Sequence, residues 1–235
     1  MTTFLEITNE VLRRLNEVQI DTEEFTSARN VQALSKDAIN SSIREILQSA
    51  QEWYFTLETQ TETCVVGQGV YSFPAEYSKA DWDTFYLKSL GEENNPRRLS
   101  LITYDEYIKY HRATEDQAGS GGYSVPLYVY MTLDQKFGIT PLPKSAYEIE
   151  YRYWSFPADL ILPTDTLIVP SRFKHIVIDG AMMYMMQFRS NDQAYAFYRD
   201  KFQAGINMMR RLVVDPPVRI NSTVINRPAT AAKVL

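Results

Sequence analysis

GITPLPKSAYEIEYRYW, residues 138–154, decides how the chain is read. Two prolines bracket one leucine, and beyond them the residue character changes at every step. Tyr147, Ile149, Tyr151 and Tyr153 fall on one side of an extended chain, and Glu148, Glu150, Arg152 and Trp154 on the other. A period of two marks a strand with one face on a core. The stretch holds no histidine, cysteine or glycine-rich loop, so its aromatic side is there to pack.

Working outward, LYVYMT and FGIT are short apolar runs divided by tight turns. With YEIEYRYW they predict a three-stranded antiparallel meander. Earlier, Phe55 to Val66 also alternates, Gly67-Gln-Gly69 is a turn, and VYSFP reads as the return strand of a hairpin that ends at Pro74. WDTFYLKSL is a further strand, closed by GEENNP, and Arg97 to Ser100 forms a brief one. Thr103 with Glu106 has capping-box spacing and starts a short helix to Arg112. ATEDQAGSGGYS, residues 113–124, reads as a mobile loop. Its GSGG follows a helix and precedes a strand, the reverse of the order a phosphate-cradling loop requires.

Helical periodicity frames this β-rich middle. Thr3 and Glu6 repeat the capping-box spacing before Val11, Leu12, Leu15 and Val18. A second helix from Thr26 to Glu52 carries Leu34, Ala38, Ile43, Ile46 and Leu47 as one stripe. After the crossover SFPADLILPTDTLIVP, a helix starts at Pro170 and Ser171. It is apolar nearly all round from Ile176 to Phe188, so it should be sandwiched between others. The next helix, Asn191 to Leu212, spaces Tyr195, Tyr198, Phe202, Ile206 and Met209 by threes and fours. The order predicts an α+β fold: a helical bundle from the N- and C-terminal helix pairs, an inserted antiparallel β-rich domain, and an extended C-terminal arm. The corresponding units are 1–54, 55–169, 170–212 and 213–235.

Composition narrows the function. The 235 residues suffice for a sizeable core, and 16 Tyr, 11 Phe and 3 Trp favour a binding or assembly surface or a tyrosine-rich sheet. Net charge is −5, which argues against a broad grip on nucleic-acid phosphates. The first 60 residues carry ten acids against five bases, whereas Arg219, Arg227 and Lys233 face no acid after Pro216; front and tail could pair between copies or with a partner. The start MTTFLEITNE does not read as a signal peptide, and no apolar run has transmembrane length. Cys64 stands alone and reads as a small buried strand residue.

Chemistry is sparse. His111 and His175 lie far apart, and His175 reads as a hydrogen-bonded structural residue. Asp81 and Asp83, Glu148 and Glu150, and Asp159 and Asp165 are the carboxylate pairs. Acid/base work would require two of them to converge across a cleft. On sequence alone, Glu148 and Glu150 occupy the outer side of a strand and Asp165 in PTDT suits a turn. Met182, Met183, Met185, Met186, Met208 and Met209 read as filler of the core or of a subunit contact. No catalytic, metal or cofactor site is expected.

The ordered set of segments resembles the head-to-tail adaptor (connector or neck) proteins of tailed bacteriophages, including the tail tubular protein A type. An N-terminal helical pair ends in EWYFTLE, and TETCVVGQGVYSFPAEY follows with its tyrosine-x-x-proline. LSLITYDEYIKYHR is next, then PLYVYMTLDQKFGITPLPKSAYEIEYRYW, and then FPADLILPTDTLIVPSRFKHIVIDGAMMYMM as a crossover into a long helix. The resemblance runs through about Leu212.

It implies a structural virion protein rather than an enzyme. About twelve copies would form a homo-oligomeric ring beneath the portal protein, with two different faces of each subunit meeting. The ring would reach a tail or nozzle protein, with tail fibres as a further contact, and DNA would pass through its lumen without sequence-specific binding. The protein would sit in the virion neck after assembly in the host cytoplasm, away from membranes and without cofactors. An arm would reach a neighbour or the portal, with Val218, Ile220, Val224 and Ile225 as apolar anchors and Arg219 and Arg227 supplying charge. Other readings are a tail terminator or fibre-attachment collar and a carboxylate-dependent hydrolase.

Overall fold

The computed structural model describes residues 2–88 and 96–213. Helices α1 (Phe4–Arg14) and α2 (Val31–Ser49) open the chain. A 3-10 turn, Tyr54–Thr56, leads to strands β1 (Leu57–Thr63), β2 (Val70–Tyr71), β3 (Tyr77–Leu87), β4 (Arg97–Arg98) and β5 (Ser100–Leu101). Next come α3 (Tyr104–Tyr107), a π-helical turn (Ile108–Arg112) and α4 (Ala113–Ala118). β6 (Tyr128–Met131), β7 (Phe137–Thr140) and β8 (Glu148–Ser155) follow, and α5 (Lys174–Phe188) and α6 (Asp192–Val213) complete the described elements. The fold is α+β, as predicted.

Local chemistry explains the helix ends. Thr3 and Glu6 cap each other reciprocally, and so do Thr103 and Glu106. α2 starts later than the predicted Thr26 because Phe25 turns inward against Phe4, ring centroids 5.1 Å apart, and holds 22–27 as turns. Asn30, at a positive φ of 52°, then redirects the chain into the helix.

The predicted strand pairings need correction. β1 and β2 do not form a hairpin: β1 pairs with β8 and β2 with β7, in different sheets. The Tyr71 hydroxyl accepts from the Val65 N–H and donates to the Gln68 carbonyl, closing residues 65–71 as a wide loop rather than a ladder. The meander also stops early. β6 and β7 pair antiparallel, but Pro141 and Pro143 have no N–H to continue a ladder, and β8 leaves for the other sheet. One sheet therefore has the order β1-β8-β3-β4 and the other β2-β7-β6-β5. All pairs are antiparallel except β5 with β6. Residues 113–118, expected in a loop, are helical. The Glu115 carboxylate accepts from the Tyr107 and Thr140 hydroxyls and pins that polar helix to the sheet.

Two apolar clusters result. Between the sheets, Tyr147 and the β8 residues Ile149, Tyr151 and Tyr153 are buried, and Phe85 stacks on Tyr151 at 4.7 Å. Burying each such side chain stabilises the fold by roughly 1.5–3 kcal/mol before entropy is counted. One edge of that sheet is β1, LETQTET, whose acids and threonines keep an open edge from recruiting other strands.

The second cluster gathers α1, α2, α5 and α6, with α5 buried almost continuously from Ile176 to Met183, as its all-round apolar pattern predicts. Gly180 permits the closest approach. A Cβ there would stand 2.3 Å from Ser42 Oγ and 2.7 Å from the Phe202 ring. Alanine is the better helix former, yet Gly180→Ala is expected to destabilise by about 1–3 kcal/mol through overpacking. A urea-denaturation midpoint checks this; a variant as stable as the parent would show that the three helices have slack.

Candidate functional site

The carboxylate pairs are used separately. Asp81 pairs with Arg152, Asp83 with Arg98, and Arg44 grips Asp159 with two nitrogens at 2.8 and 2.9 Å. Lys88 reaches Glu150 at 2.7 Å. Asp165 accepts from the Ile161 and Leu162 N–H groups, each at 2.7 Å, and so closes a turn as its sequence context predicts. Among the described residues, no group of three His, Cys, Asp or Glu comes together to hold a metal.

His111 packs beside Tyr128. His175 is exposed instead of hydrogen-bonded within the bundle, because Phe173 and Ile176 occupy the inward positions around it. Cys64 is buried just past β1, and burial pushes its thiol up to about 11, so it stays protonated near neutral pH.

One buried acid stands out. Asp179 on α5 accepts from Lys201 at 3.0 Å and Arg14 at 3.4 Å, with its own side chain only 3% exposed. Arg14 also meets Glu10, and Glu10 meets Lys174 at 2.9 Å. Burial pushes the Glu10 carboxyl up, but Lys174 and Arg14 outweigh it and hold the group below its usual range. These five groups cross-link α1, α5 and α6, so their geometry is structural.

Large apolar side chains also remain outside. Phe188, Phe197, Met208 and Leu212 are exposed on α5 and α6, and Ile161 and Leu162 project from the turn closed by Asp165. The β region adds exposed Val65, Val66, Leu101, Ile108 and Leu133. Scattered apolar side chains need no explanation, but helix faces carrying large ones have the composition of contact surfaces.

Periodicity selected the buried side of α6 and passed over Phe197 on the opposite side. Ile161 and Leu162 were hidden within a proline-rich crossover. Of the methionines, Met182, Met183, Met185 and Met209 fill the core while Met208 is exposed. Between α2 and α5 lies a groove of about 180 Å³ lined by Leu34, Asp37, Ala38, Tyr184, Met185 and Phe188, with Ser41. The predicted arm contacts Val218, Arg219, Ile220, Val224, Ile225 and Arg227 lie outside the described residues.

No described helix is long and apolar enough to cross a membrane. No curated protein matches the sequence. The family model of the SU10 adaptor protein, however, matches residues 2–221, from the first capped helix past the end of α6. With a match over nearly its whole length, the chain belongs to the SU10 adaptor protein family, a family of phage structural proteins.

Proposed function

We propose that about twelve copies of this chain close into a ring that joins the portal of a phage capsid to its tail or nozzle and lets DNA pass. The family match over residues 2–221 carries the reading. Exposed apolar side chains on α5 and α6 and at the turn holding Ile161 and Leu162 suit an interface in which different faces of neighbouring copies meet. The net charge of −5 suits a lumen that does not retain phosphates. In this reading the bundle helices of 1–54 and 170–212 face the portal and 55–169 faces the tail. Segment 213–235 contacts the portal or a neighbour through Val218, Arg219, Ile220, Val224, Ile225 and Arg227. The protein is then a component of the virion neck, assembled in the host cytoplasm.

Mixing the purified chain with portal particles tests the reading. Negative-stain images should show an added ring of uniform subunit number below the portal, and removing residues 213–235 should lower tail attachment at least tenfold. A chain that stays monomeric beside the portal overturns the ring. Undiminished tail attachment by the truncated chain overturns the role of the arm.

A further inference from the structure

The groove between α2 and α5 lacks an occupant among the described residues. Its walls are the apolar Leu34, Ala38, Met185 and Phe188 with the Tyr184 ring, and its polar members are Ser41 and Asp37. Phe188 is 58% exposed. Asp37 is exposed, it forms no ion pair with another described residue, and no base lines the groove. The site is thus an apolar slot with one free negative charge.

Its place in the bundle is defined. Phe188 is the last residue of α5, and α6 begins four residues later at Asp192. α6 then runs 22 residues, about 33 Å, away from the groove to Val213. Residues 214–235 continue from that far end with three bases, Arg219, Arg227 and Lys233, against one acid, Asp215. Pro216 and Pro217 lack the N–H groups that a continuation of α6 would require. An extended chain advances about 3.3 Å per residue, so the eleven steps from Val213 to Val224 cover about 36 Å. That matches the length of α6. A segment folding back along α6 would therefore bring Val224 and Ile225 to the groove, with Arg227 in reach of Asp37.

We infer that the C-terminal segment of this chain docks in cis. Val224 and Ile225 fill the slot between α2 and α5 of their own bundle, and Arg227 pairs with Asp37. Apolar and charge complementarity coincide at the first residues whose chain length reaches the groove. The inference concerns the free chain and stands whether or not that chain forms a ring. In the assembly proposed above, the segment leaves this slot for its partner and uncovers Phe188.

Site-directed crosslinking of the full-length chain tests it. Ser41→Cys combined with Ile225→Cys should give an intrachain disulfide under mild oxidation, seen as a faster band without reductant. Cys64, buried, stays out of the exchange. A tethered tail meets any surface of its own bundle at an effective concentration on the order of 1 mM, so the reference pair is Arg13→Cys with Ile225→Cys, placed on α1. The groove pair should form at least tenfold faster than the reference pair. In a second measurement, Val224→Asp with Ile225→Asp should raise hydrophobic-dye fluorescence and speed hydrogen exchange in peptides covering 34–41 and 184–188. Equal rates for the two pairs, a disulfide-linked dimer in place of the intrachain bond, or unchanged exchange in the aspartate variant would each overturn cis docking.

Discussion

Removing Arg14 and Lys201 together is expected to cost about 3–5 kcal/mol of folding stability, the range for a buried charge left without partners. Asp179 lies in the middle of α5 with its carboxylate 3% exposed, and the two cations reach it from α1 and α6. The cations themselves are 34% and 50% exposed. This asymmetry sets the order of effects. If Asp179 is replaced by alanine, Arg14 and Lys201 turn to water, and the loss should stay near 1–2 kcal/mol. If both cations are replaced by alanine, the carboxylate remains buried and cannot turn out. Urea denaturation followed by helical circular dichroism measures both. A double variant no less stable than Asp179→Ala would mean that apolar packing alone docks α1 and α6 on α5. Because whole domains are stable by only about 5–15 kcal/mol, the double variant should lose a large share of its margin.

Trp53→Ala should be nearly as damaging, at about 3–5 kcal/mol. Trp53 is 1% exposed and stacks on Phe55, with ring centroids 5.4 Å apart. Its indole N–H donates to the Ile46 carbonyl at 3.0 Å, which satisfies a group in the last turns of α2. Its own carbonyl accepts from Thr56 and holds the 3-10 turn before β1. Trp53→Phe separates these roles. It keeps most of the buried area and loses the hydrogen bond, so its penalty should fall to about 1–2 kcal/mol. Equal penalties for the two variants would place the whole effect in the hydrogen bond.

Legibility in the sequence followed the range of each interaction. Capping boxes at Thr3 and Thr103 and the stripes of α5 and α6 depend on neighbours within a few turns, so spacing alone revealed them. The tyrosine face of β8 was legible for the same reason: alternation states which side is buried. Alternation is silent about partners, and β8 lies between β1 and β3, which come from much earlier in the chain. Proximity in sequence suggested a hairpin and a meander instead. α4 was illegible because it is polar and held by Glu115 rather than by an apolar stripe. The exposed apolar side chains were only half legible, since Phe197, Ile161 and Leu162 are set apart by exposure, which spacing does not report. The likeness to phage adaptor proteins was carried by the order of segments, and the match over residues 2–221 bears it out at that level, without reaching the tail tubular protein A type.

The pairing of β1 with β8 has a mechanical consequence. The chain leaves the bundle through Trp53 into β1 and comes back through the end of β8. Leu57 lies opposite Trp154, and the Ser155 hydroxyl donates to the Thr56 carbonyl. Outgoing and returning backbones are therefore laced side by side where they cross. A pull or twist applied to the sheets is shared by two paired strands, one following α2 through Trp53 and the other leading into the crossover before α5, so the joint resembles a doubled cord rather than a single thread.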